Sequence, residues 1–162
     1  MRRRIPQAAK RPPAGQSLVE FAFMATFLLI VLMGVLDLGR AYYTLLALKD
    51  AAGEGAYYAQ ANPKRWCATA SGPCAGRDSS YLRADPDNIE YRVRNSSPSG
   101  GLVSWPNATV TITPPATIKA GEIITVTVSY GYRLLTPFLG TVAGTQTLTL
   151  TATSVSVIVT PP

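Results

Sequence analysis

The chain has 162 residues, 47% of them hydrophobic, with 15 Lys and Arg against 9 Asp and Glu and no histidine. That length allows one domain, or a small domain with an appendage, and the lack of histidine excludes Ser-His-Asp and Cys-His catalytic arrangements and the commonest metal ligand. The net charge of +6 is local: Arg2, Arg3, Arg4, Lys10 and Arg11 precede Gly15 with no acid among them, and the rest has ten basic against nine acidic residues, which gives no basic face for nucleic acid.

Residues 1–15 carry that charge among three prolines and small residues, the composition of an unstructured cytoplasmic leader. The stretch from Gly15 to Leu36 organises the rest. Between Phe21 and Leu36 there is no charge and no proline, and Gly34 is the one glycine; Leu18 and Val19 extend the apolar surface upstream. A membrane helix needs about 20 apolar residues, with about 17 as a lower limit, so a span over about 18–36 is expected. Basic residues stay on the cytoplasmic side, which places the N-terminus inside and everything after Leu36 outside. Glu20 breaks the pattern, because a carboxylate in a membrane segment calls for a partner. A cleaved secretory signal fits less well: its apolar core is about 7–15 residues long and ends in a small-x-small site. The nearest such site here, Gly39-Arg40-Ala41, lies beyond Asp37 with an arginine inside it.

Beyond the span, Ala41, Leu45, Leu48, Ala52, Ala56 and Ala59 recur at intervals of three and four, one face of an amphipathic helix. Asn62-Pro63 supplies a stop, so one helix is expected from about Gln16 to about Ala61. Asp37 and Arg40, three residues apart, are expected to pair at the outer membrane boundary. Residues 62–107 read as irregular. Cys67 and Cys74, with six residues between them, are expected to form a local disulfide on the exported side rather than a zinc site, for which a second ligand pair is missing. Asp85 and Asp87 are too few for calcium and read as a solvated loop. Ile89, Tyr91 and Val93 alternate with Glu90, Arg92 and Arg94, which predicts a short strand with one wet face.

From Ala108 onward the pattern is β. Val110 and Ile112 alternate with threonines until Pro114-Pro115; Lys119-Ala120-Gly121 reads as a turn. Ile124, Val126, Val128, Tyr130 and Tyr132 form one face of the next strand. The last strand has Leu148, Leu150 and Ala152 on even positions and Val155, Val157 and Val159 on odd ones, which predicts a β-bulge or break near Thr153-Ser154. No glycine-rich phosphate loop follows a strand.

Two groups of residues carry a family resemblance. A basic leader, Gly15, and Glu20 five residues on inside an apolar run resemble the processing site of type IV prepilins. The resemblance implies that a membrane aspartic peptidase, the prepilin peptidase, cuts between Gly15 and Gln16 on the cytoplasmic side. It also implies that Glu20 pairs with a free N-terminal amine, usually that of a neighbouring subunit, and an ammonium partner would offset the desolvation of a carboxylate in low dielectric. Glu20-Phe21 is similar to the Glu-Tyr pair of Flp-type pilins. D-L-G-R-A-Y-Y at 37–43 and K-D-A-A-G-E-G-A-Y-Y-A at 49–59 resemble the N-terminal signature of TadE-like proteins, minor pilins or pseudopilins of tight-adherence (Tad) pili. V-T-V-S-Y-G-Y-R-L-L-T-P at 126–137 and T-L-T-L-T-A-T at 147–153 resemble their C-terminal part. The alanines and glycines of 49–59 also read simply as residues that allow close packing.

The expected architecture is α+β, similar to type IV pilins: a long N-terminal helix whose outer half packs on a small, mostly antiparallel sheet. It divides into a leader at 1–15, a helix at 16–61, a loop region at 62–107 and a β-rich exported domain at 108–162. The function implied is a non-enzymatic minor pilin or pseudopilin, without cofactor or metal, acting in pilus assembly, adhesion or secretion. Its implied partners are the prepilin peptidase, other pilin or pseudopilin subunits, the membrane and, indirectly, the assembly platform and its ATPase. Its implied place is the cytoplasmic membrane as a single-pass protein, and then an extracellular pilus. The alternative is an uncleaved, membrane-anchored binding module.

Overall fold

The computed structural model describes residues 15–65, 85–96, 103–136, 140–141 and 144–159. The fold is α+β: a long N-terminal helix and a three-stranded antiparallel sheet. The chain divides into two compact units, Met1–Leu36 and Asp37–Pro162, and helix α1, Gln16–Ala61, contributes to both.

In the first unit α1 exposes apolar side chains on every side between Phe21 and Leu36. Leu18, Phe21, Phe23, Met24, Phe27 and Leu28 are each about two-thirds exposed or more. Apolar side chains exposed all round a helix are ones that lipid or other helices must cover. The helix is long and apolar enough to cross a membrane, which fits a membrane anchor.

In the second unit the apolar face of α1 narrows to small residues. Leu48, Ala51, Ala52, Gly55, Ala56 and Ala59 are buried, and the helix ends at Ala61, directly before Asn62-Pro63. The sheet facing it is a meander in the order β1-β2-β3, with β1 Thr109–Thr113, β2 Ile123–Arg133 and β3 Thr147–Val157. Its inner face is built by period-two alternation: Ile112 from β1, Ile124, Val126 and Val128 from β2, and Ala152 from β3 are buried in one core with the α1 stripe. Threonines occupy most of the opposite face. Lys119 to Glu122 forms the expected turn, closed by Glu122 N–H donating to Lys119 O at 3.2 Å. Gly121 sits at φ 90°, a conformation that only glycine adopts at little cost.

Two expectations are corrected. Residues 89–94 are not a strand but lie in α2, Ile89–Asn95. Asn88 caps it by accepting from Glu90 N–H at 2.8 Å, and Ile89 and Val93, four apart, bury the same face. That spacing satisfies a helix as well as a strand, and the cap decides for the helix. Of the expected wet face, Arg92 is exposed, while Arg94 and Glu90 form a nearly buried ion pair at 2.7 Å. Arg94 also donates to the carbonyls of Trp105, in a short 3-10 turn at Trp105–Asn107, and of Ala108, which ties α2 to the start of β1.

Nor does β3 bulge. Its register with β2 runs one to one from Thr147 opposite Arg133 to Val157 opposite Ile123. The even positions face the core throughout, with Ser154 and Ser156 taking the places where the pattern predicts a turn of the valines inward. Ser156 Oγ donates to Gln60 Oε1 at 3.0 Å, which makes a polar residue acceptable there. Val155, Val157 and Val159 therefore point outward and stay exposed.

Helix α1, α2 and β2 meet at Gly55. A Cβ added there would lie 2.3 Å from Val93 Cγ2 and 3.4 Å from Val126 Cγ1. Gly55→Ala is therefore expected to cost about 1–3 kcal/mol through overpacking. Gly53→Ala, whose Cβ would meet nothing within 4 Å, should be neutral or stabilising by up to about 1 kcal/mol through helix propensity. Thermal melts of the two variants check this; equal melting temperatures would refute the packing account.

Candidate functional site

The N-terminal residues come first in the chain. Gly15 O accepts from Val19 N–H at 3.2 Å, so the peptide bond to Gln16 lies at the helix start, and Gly15 and Gln16 are both exposed. Gln16 Nε2 donates to Glu20 Oε1 at 3.2 Å, one helical turn on. Both side chains thus share a helix face, and Glu20 stands there as an exposed carboxylate with a neutral hydrogen-bond donor beside it. Phe21, next to it, is 72% exposed. Gly15, Gln16 and Glu20 form a polar head on the exposed apolar stretch that runs to Leu36, with Phe21 at its apolar margin.

The second constellation centres on Asp37, which is 1% exposed. A buried carboxylate is costly unless its oxygens are satisfied, and here they are satisfied from the far end of β2. Leu135 N–H donates to Oδ1 at 3.1 Å, and Thr136 N–H donates to Oδ2 at 2.9 Å. The Thr136 hydroxyl also donates to Oδ2, and the Tyr132 hydroxyl donates to the Asp37 carbonyl at 3.3 Å. Asp37 thereby pins α1 to the segment that follows β2.

Burial by itself would raise the Asp37 carboxyl pKa. The hydrogen bonds from Thr136 and Leu135, with the nearby Arg40 charge, outweigh it and hold the group below its ordinary value of 3.8. Arg40 acts at a distance: its guanidinium lies over the Tyr132 ring, 5.9 Å from the centroid, while the carboxylate bonds go to residues 135 and 136. Burial raises the Tyr132 phenol above its ordinary value; the charge of Asp37 acts in the same direction and that of Arg40 against it. Asp37 and Arg40 thus share one cluster, but the direct partners of Asp37 lie 98 and 99 residues away. No local spacing signals that contact.

Asp87 pairs with Arg65 at 2.8 Å and both are largely exposed; Asp85 Oδ1 accepts from Asp87 N–H. This is a solvated loop, and no group of three or more metal-ligating side chains occurs among the described residues. The leader residues 1–14, Cys67 and Cys74 lie outside the described residues, and no disulfide occurs among the described ones.

Comparison with known proteins bears on the helix. The model of a family described as TadE-like protein matches residues 15–56, about a quarter of the chain. The match begins at Gly15 and spans Glu20, Asp37, Arg40 and Gly55. The sheet residues that also resemble the family lie outside it. No curated protein and no solved structure matches the chain.

Proposed function

We propose, from the similarity of residues 15–56 to TadE-like proteins, that this chain is associated with Tad pili as a minor pilin or pseudopilin subunit, cut by a prepilin peptidase between Gly15 and Gln16. The observation that carries this reading is the exposed, uncharged stretch from Phe21 to Leu36, headed by Gly15, Gln16 and Glu20. An exposed apolar span needs lipid or other helices around it, and Glu20, the one acid between Gln16 and Leu36, sits exposed where a neighbouring amine can reach it.

In the uncut chain the hydrogen-bond partner of Glu20 is the neutral Gln16 amide. Cleavage turns the Gln16 backbone nitrogen into an ammonium. A carboxylate and an ammonium in lipid each cost several kcal/mol alone, and contact between them offsets much of that. The contact between Glu20 and the amine of a neighbouring subunit then favours a bundle of helices over a single helix in lipid. Asp37 and Arg40 mark the outer membrane boundary, where the apolar surface ends and the folded unit begins. The sheet unit is the exported part, and the chain has a structural rather than an enzymatic role. Energy for assembly comes from an ATPase on another chain, reached through the assembly platform.

The test is the intact mass and N-terminal sequence of the protein taken from its native membrane. A chain that begins at Gln16 supports processing. One that begins at Met1 or Arg2 overturns it in favour of an uncleaved anchor, and a start near Tyr42 overturns both.

A further inference from the structure

We propose that the outer edge of β3 is a strand-addition site through which two copies of this chain pair, β3 against β3, antiparallel about Thr153. The direction of each backbone group follows from the ladder. Ile158 N–H donates to Glu122 O at 2.9 Å and Ile158 O accepts from Gly121 N–H at 2.8 Å. Residues two apart in an antiparallel strand share that direction. The even positions of β3 therefore bond to β2, and the odd ones turn their N–H and C=O groups to the free edge.

That edge is closed at both ends. The Thr145 hydroxyl takes both groups of Thr147, accepting from its N–H at 3.1 Å and donating to its carbonyl at 3.0 Å. At the other end Val159 N–H donates to Gln60 O at 3.1 Å. Between these caps, the outward groups of Thr149, Thr151, Thr153, Val155 and Val157 have no partner among the described residues.

Long free edges are normally blunted by charge, proline, bulges or short length. The other edge follows this rule, because β1 has five residues and is followed by Pro114-Pro115. Strand β3 has 11 residues, without charge, proline or glycine, and no bulge. Apolar side chains are exposed on both of its faces: Leu148 at 37% on the core side, and Val155 at 58% and Val157 at 49% on the other.

A second copy fits this edge for three reasons. The five open residues are disposed symmetrically about Thr153, so a two-fold axis there pairs Thr149 with Val157, Thr151 with Val155 and Thr153 with its own copy, using every open group. Threonine opposite threonine is the pairing this sheet already uses, since the Thr127 and Thr153 hydroxyls lie 3.2 Å apart. Neither strand carries a charge, so self-pairing meets no repulsion, and a charged peptide would find no counter-charge. This inference does not depend on leader cleavage.

The test uses the full chain in detergent. Wild-type protein is expected to form a dimer by light scattering. Thr153→Lys, which places like charges opposite each other on an exposed position, is expected to weaken that dimer about tenfold or more. Mixing Thr153→Lys with Thr153→Glu should restore it. In Thr153→Cys, paired Cα atoms about 5.5 Å apart lie within disulfide range, so oxidation should yield a 153–153 linked peptide by mass spectrometry. A wild-type chain that stays monomeric, a dimer unaffected by Thr153→Lys, or absence of the 153–153 peptide would each overturn the proposal.

Discussion

Asp37→Ala is expected to be the most destabilising single change in the Asp37–Pro162 unit, costing about 3 kcal/mol and lowering the melting temperature by on the order of 10 °C. The substitution removes one carboxylate but strands three donors: the N–H groups of Leu135 and Thr136 and the Thr136 hydroxyl. A buried donor left unpaired loses about 1–3 kcal/mol, and water entering the vacated space recovers part of the total. Asp37→Asn should fall between Asp37→Ala and wild type, because it keeps one acceptor oxygen and turns an NH2 group toward the remaining donors. Thermal melts of the full chain in detergent, followed by near-ultraviolet circular dichroism, measure the order. Melting of Asp37→Ala at the wild-type temperature would show that the 135–136 segment is held by other contacts.

The same site has a signature in pH. The Asp37 carboxyl is held below its ordinary value in the fold, so the folded state releases its proton more readily than the unfolded chain. Its contribution is fully present above the unfolded value of about 3.9 and is lost as pH falls through the lower folded value. The gap in melting temperature between wild type and Asp37→Ala should therefore be wide at neutral pH and close progressively below about pH 4. A gap that widened on acidification would contradict the hydrogen-bond account.

How much of this can be read in the sequence depends on how local each cause is. The stop of α1 and the buried face of β2 are legible because one Asn-Pro pair and one two-residue period determine them within a few residues. The stretch at 89–95 misleads because Ile89 and Val93 fit both periods, and the deciding residues are the flanking Asn88 and the Glu90–Arg94 pair, whose spacing of four belongs to a helix. In β3 the assumption that valines turn inward fails. The inner face near Ser156 lies against Gln60, a polar residue, so serine belongs there and the valines remain outside. The role of Asp37 is legible only in part. Its charge and place in the D-L-G-R motif mark it, but its partners arrive from the end of β2, where no period or spacing points back to position 37.

Glu20→Gln is expected to leave synthesis and membrane insertion intact and to reduce incorporation into pilus complexes by about 100-fold or more, on the scale set by a buried ion pair. The two side chains have nearly the same shape, and the substituted amide oxygen could still accept from the Gln16 side chain, so the helix itself should be unchanged. What disappears is the charge. Removing one member of a buried ion pair costs about 3–5 kcal/mol, because its partner is left uncompensated, and about 1.4 kcal/mol is a factor of ten. The unassembled state moves the other way: a neutral amide is easier than a carboxylate to keep in lipid, so the variant should accumulate in the membrane. Glu20→Asp keeps the charge on a side chain one methylene shorter and should recover part of the incorporation. The readout is the ratio of this chain in sheared surface material, or in complexes with other pilin subunits, to that left in the membrane. Incorporation of Glu20→Gln at the wild-type ratio would mean that Glu20 meets no ammonium during assembly, and the helix would then be an anchor whose acid simply faces the interface.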